Sequence, residues 1–150
     1  MKTFRKLGDG QPVDLIPYLK EKLSERDDIK VYIGTDSQNT DRYTHYAMVV
    51  VLHYGNNGGH VLYAKEQMDK IKDRFTRLWN EVEMSINLAV YLKDNGITPS
   101  YVDLDLNPDP SCGSNSVLRS AFGYVESMGF VPRCKPDAVS ATYVADRICK

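Results

Sequence analysis

The sequence predicts an α/β fold built on one mixed sheet of five strands, a three-strand antiparallel meander plus two parallel strands, flanked by helices. Three observations lead to it. Three strand-like segments fall between residues 30 and 64, with connections too short for crossovers. A long amphipathic helix follows, with apolar residues recurring at spacings of three and four. Beyond it, strand and helix alternate to the end of the chain, the order that β-α-β crossovers produce.

Residues 14 to 26, "DLIPYLKEKLSER", place Leu15, Ile16, Leu19 and Leu23 on one helical face. Asp14 is suited to cap this helix, and Pro17 is tolerated in its first turn. The first strand is Lys30 to Asp36, and the second is Tyr43 to Tyr54, whose "YAMVVVLHY" is rich in β-branched and aromatic residues. "GNNGG" is a turn, and His60 to Ala64 returns as the third strand. The long helix runs from about Gln67 to Asp94, with Ile71, Phe75, Leu78, Val82, Ile86 and Ala89 as its stripe and Gly96 as its C-terminal stop. A fourth strand, Tyr101 to Leu106, leads into the loop "NPDPSCGSN" and a helix from Ser116 to Met128. "GFVPRCK" holds a short fifth strand, and Pro136 and Asp137 open a last helix. The chain reads as a single domain of 150 residues: 1–29 a helical N-terminal extension, 30–150 the core.

Hydrophobic residues make up 42% and charged residues 26%, the balance of a soluble globular protein. A net charge of −1 supplies no global field for nucleic acid or anionic membrane, although a local groove can still be basic. The three cysteines form no C-x-x-C pair, which argues against a thiolate zinc site and for reduced thiols in a cytoplasmic protein. No window approaches the ~20 apolar residues of a membrane span, and "MKTFRKLGDG" does not read as a signal peptide.

The acids carry the chemistry. Period two sets Tyr32, Gly34 and Asp36 on one face of the first strand, with Asp36 at the C-terminal end where α/β sheets bind ligands. The bland alternative is a turn-forming aspartate, since "DSQNTD" is good turn composition. In "YVDLDLN", Asp103 and Asp105 share a face, although aspartate is depleted in strands. Two such acids should repel unless a positive group sits beside them; an edge strand with a solvated face would also tolerate them. On the long helix Glu81 falls roughly 80° from the centre of the apolar stripe and Glu83 roughly 120°, so Glu81 borders the packed face. Ser85 and Ala89 are small enough to let this helix lie close to the sheet. Asp137 belongs to a first helical turn, where the dipole favours it. Asp146 lies nine residues on, half a turn out of phase, and cannot share its site. Carboxylates without matching Cys or His ligands suit hard cations such as Mg²⁺ or Mn²⁺. His45, His53 and His60 lie on or beside the meander and read as packing or surface residues.

The element order with acids at these places resembles the ribonuclease H-like superfamily, over roughly residues 30 to 150. More narrowly, "IGTDSQ", "RLWNEVEMS", "DLDLN", "GYVESMGF" and "KPDAVSATYVADR", in that order, look like the YkuK-type group of that superfamily. The resemblance implies Asp36, Glu81, Asp105 and Asp137 as catalytic acids and metal ligands, with Asp103 the alternative to Asp105. It implies Mg²⁺ or Mn²⁺ as cofactor, nucleic acid as partner, and attack of a metal-activated water on a phosphodiester. The alternative is an inactive member that binds nucleic acid or protein. No basic handle for an RNA–DNA hybrid stands out. Candidate substrate contacts are Arg74, Arg77, Lys135, Asn107 and Asn115, with Lys70 and Arg119 beside them, unless these cations only solvate helix faces. Assembly into a homo-oligomer stays open.

Overall fold

The computed structural model describes residues 3–55, 58–106, 109, 111 and 115–134. Its elements are β1 (Phe4–Lys6), β2 (Pro12–Val13), α1 (Leu15–Glu25), β3 (Lys30–Asn39), β4 (Tyr43–His53), β5 (Gly59–Asp69), α2 (Arg74–Asp94), β6 (Tyr101–Asp103), α3 (Asn115–Ser127) and β7 (Pro132–Arg133). The last helix expected from Pro136 lies outside the described residues.

One mixed sheet holds the strands in the order β2-β1-β5-β4-β3-β6-β7. Strands β3, β4 and β5 form the expected antiparallel meander, and β6 lies parallel to β3 on its other side. Among the described residues the sheet has seven strands rather than five. The additional pair, β1 and β2, lies in the N-terminal extension ahead of the helix expected over residues 14 to 26. Arg5 and Lys6 pair with Tyr63 and Leu62 of β5, which buries Phe4 completely. A three-residue strand is too short to show alternation; the backbone of an exposed sheet edge recruits it.

The long helix starts at Arg74, later than the sequence pattern implies, because Gln67–Asp69 continues β5 opposite Tyr43–His45. Asp73 then caps α2, accepting from the Thr76 backbone N–H at 3.0 Å. Phe75 is consequently 52% exposed and stands outside the core. At the other end Gly96 adopts φ 86°, the left-handed stop that closes the helix. Asp14 occupies the N-cap of α1 without a side-chain capping bond. The fourth strand stops at Asp103 rather than Leu106.

The main core lies between the sheet and its helices. Ile33, Val50, Leu52 and Leu62 from the strands meet Val82, Ile86, Ala89 and Leu92 of α2, with Val117, Ala121 and Val125 of α3 alongside. Thr35 Oγ1 and Ser85 Oγ lie 2.7 Å apart across this interface, so small side chains do bring α2 close to β3. Tyr32, Val49 and Val51 form a second buried group on the opposite face of the sheet. No described helix is long and apolar enough to cross a membrane.

Candidate metal centre

Strand register brings the first two acids together. Gly34 of β3 pairs with Asp103 of the parallel β6. Two residues further along each chain stand Asp36 and Asp105, on segments spaced about 4.8 Å apart where the ladder is regular. Glu81 arrives from α2. Asp36, Glu81 and Asp105 each offer a carboxylate oxygen, and these oxygens lie within 4.8 Å of one another. Asp36 and Glu81 are buried, while Asp105 is half-buried. Glu81 and Asp105 share a crevice with Thr35, Ser85, Asp103 and Leu104.

Glu81 is held from the strand. The Ser37 hydroxyl donates to Glu81 Oε2. Arg77, one turn earlier on α2, donates through Nη1 to the Ser37 carbonyl at 3.1 Å and to its hydroxyl at 2.9 Å. Arg77 Nε is buried without a hydrogen-bond partner among the described residues, an arrangement that costs about 1–3 kcal/mol for a neutral donor and more for a charged one. Burial raises the Glu81 carboxyl well above the usual carboxylate range, and the charges of Asp36 and Asp105 push it further. The Ser37 bond and Arg77 pull the other way and do not cancel the shift. Without a cation the cluster is therefore electrostatically strained.

Asp103 does different work. Completely buried, it accepts two bonds from Arg133, Nε at 2.8 Å and Nη2 at 2.9 Å. The Arg133 guanidinium also stacks over Tyr32 and Tyr101, 4.4 and 4.2 Å from the ring centroids. This is the positive group that lets two acids share one stretch of strand sequence.

The family model for ribonuclease H-like proteins matches residues 14–150. The chain belongs to the ribonuclease H-like family. No curated protein matches it. Among solved structures, RNase H1 from the halophilic archaeon Halobacterium salinarum NRC-1 aligns at 16% identity over 79% of this chain and 96% of that one, with a TM-score of 0.41.

In this ribonuclease H-like chain the acidic residues fit a divalent cation. All donors are carboxylate oxygens, the preference of Mg²⁺ and Mn²⁺, and a cation would relieve the repulsion that raises Glu81. Asp137, Lys135 and Asn107 lie outside the described residues. Arg74 is exposed at the start of α2, and Lys70 precedes that helix rather than lying on it. Asn115 and Arg119 border a groove on α3 with Leu118, Phe122 and Glu126. Arg77 points one nitrogen inward at Ser37 instead of presenting its whole guanidinium to phosphate. His53 and His60 stack on Tyr32 and Tyr18, and His45 sits edge-on to Tyr43, none of them in the cluster.

Sequence reasoning missed Ser37 and the pairing of Thr35 with Ser85. The available signal was the pair of hydroxyl residues flanking Asp36 in "GTDSQ": in a strand they share the face opposite to Asp36, here the face toward α2.

Proposed function

We propose that this protein is a divalent-metal-dependent nuclease that hydrolyses a phosphodiester of a nucleic acid lying over Asp36, Glu81 and Asp105. The observation that supports this reading is the convergence of three acids from separate elements in a chain of ribonuclease H-like family. Bound by these carboxylates, Mg²⁺ or Mn²⁺ would acidify a coordinated water and stabilise the leaving oxygen of the phosphodiester.

The chain's own residues supply the frame. Asp36 stands on β3, and Asp105 lies two residues past the end of β6, which pairs parallel with β3. Glu81 is anchored through Ser37 and shielded from bulk water by its burial against the sheet. Arg74, Arg119, Lys70 and Asn115 are the described groups we assign to phosphate and sugar contact. Asp137 would add a fourth acid, and Asn107 and Lys135 further contacts. The five ordered motifs support a place near the YkuK-type group, and cysteines without C-x-x-C spacing support a cytoplasmic setting.

The experiment offers purified protein single-stranded DNA, RNA, RNA–DNA hybrid and branched DNA, with Mn²⁺, Mg²⁺ or EDTA. Cutting with either metal and none in EDTA is expected. Asp36→Asn and Asp105→Asn should each abolish it while affinity for nucleic acid holds or improves, since both remove negative charge near phosphate. Binding without cutting of any substrate would overturn the nuclease reading in favour of an inactive binding module.

A further inference from the structure

Ser37 follows Asp36 directly, and its hydroxyl makes two contacts of opposite sense. It accepts from Arg77 Nη1 at 2.9 Å and donates to Glu81 Oε2. A hydroxyl has one proton, so an incoming N–H on its oxygen leaves that proton for a different partner. Arg77 carries no acceptor and stays charged, so the first contact can run only one way. Once Glu81 is ionised, as a bound cation would hold it, its carboxylate can only accept, and the polarity from Arg77 to Ser37 to Glu81 is fixed.

Arg77 also donates to the Ser37 carbonyl at 3.1 Å, and so grips the backbone adjoining Asp36. One guanidinium nitrogen is thus tied to both strand-side groups nearest the cluster. Its buried Nε, without a partner among the described residues, belongs to a side chain set into the α2–β3 interface rather than standing in water to meet a ligand. Arg77 and Glu81 are one turn apart on the same helix, so both reach Ser37 from one face of α2.

We propose that Arg77 and Ser37 are positioning residues of the metal centre: Arg77 orients the Ser37 hydroxyl, and that hydroxyl holds the Glu81 carboxylate where it shares a cation with Asp36 and Asp105. This rests on the reading of the cluster as a divalent-cation site. Neither residue touches the cation or the substrate.

The test measures Mn²⁺ affinity of the purified protein by electron paramagnetic resonance of free Mn²⁺, alongside far-UV circular dichroism. The variants are Ser37→Ala, Ser37→Thr, Arg77→Gln, Arg77→Lys and the double variant Ser37→Ala with Arg77→Gln. Ser37→Ala should weaken Mn²⁺ binding by about 10–100-fold, the usual cost of losing a group that orients a metal ligand. Ser37→Thr, which keeps the hydroxyl, should restore most of that loss. Arg77→Gln and Arg77→Lys should both weaken binding, the lysine because it keeps the charge but not the planar donor geometry. The double variant should bind no more weakly than Ser37→Ala, since the two residues act along one path.

Wild-type affinity in Ser37→Ala or in Arg77→Lys would overturn the proposal, as would losses that multiply in the double variant. Should Ser37→Ala fail to fold, Arg77→Lys and Ser37→Thr still decide. A wild-type protein that binds no Mn²⁺ overturns the metal-centre reading and this inference with it, whereas undiminished binding in the variants overturns this inference alone.

Discussion

Gly34 and Asp103 are partners on adjacent parallel strands, and that pairing decides which of two neighbouring aspartates reaches the acidic cluster. Asp103 lies beside a glycine and is taken by Arg133. Asp105, two residues past that pairing, joins Asp36 and Glu81 in the cluster. The two acids should therefore respond oppositely to substitution. Asp103→Asn removes one partner of a buried ion pair and should destabilise the fold by about 3–5 kcal/mol, read by urea unfolding, while Mn²⁺ binding persists in the folded fraction. Asp105→Asn should leave stability in EDTA unchanged or raised and lose the response to Mn²⁺. Equal Mn²⁺ loss in both variants would contradict the separation.

Divalent metal should raise the melting temperature, because the folded state binds it and the unfolded chain does not. At a concentration 100 times the dissociation constant the gain is about 2.7 kcal/mol. Differential scanning calorimetry with and without Mn²⁺ measures it. Asp36→Asn should largely abolish the shift; a mutant shift equal to wild type would remove Asp36 from the ligand set.

The raised Glu81 pKa makes metal-free stability depend on pH. In the folded protein Glu81 keeps a proton that the unfolded chain has already released, so the native state binds more protons between the unfolded and folded pKa values. Stability contributed by this group is present below the ordinary carboxylate pKa and is lost as pH rises through the folded value. In EDTA the melting temperature of wild type should thus fall relative to Glu81→Gln from mildly acid to neutral pH. Saturating Mn²⁺ should reverse the order at neutral pH. Parallel pH profiles for the two proteins in EDTA would rule the effect out.

The hydroxyls of Thr35 and Ser85 satisfy each other inside the α2–β3 interface. Thr35→Val alone leaves Ser85 without that partner and should cost about 1–3 kcal/mol. Thr35→Val with Ser85→Ala removes both polar groups and should recover most of the loss. Chemical denaturation of the two variants reads the difference, and an additive loss in the double variant would count against the pairing.

Local pattern alone determined a good deal of this protein. The β-branched and aromatic run of β4, the three-and-four spacing of Leu78, Val82, Ile86 and Ala89, and the short connections of the meander are sufficient for the antiparallel meander and the helix packed on it. The same periodicities placed Asp36 on the first strand and Glu81 at the border of a packed face, because each depends only on neighbours within a few residues; β3 itself runs on past Asp36 to Asn39, opposite Thr44 of β4. Other features answer to contacts distant in sequence, and only the tertiary structure decided them. Residues 4–6 became a strand because the β5 edge offers backbone donors and acceptors, which no side-chain pattern announces. Gln67–Asp69 stayed in β5 because Tyr43–His45 lay opposite, although the same residues suit a helix start. Asp105 was separated from Asp103 by the register with β3 and by an arginine thirty positions away. Arg77, one turn from Glu81 on an amphipathic helix, has equal access by pattern to solvent and to the sheet. The position of the Ser37 hydroxyl, forty residues earlier in the chain, turned it inward.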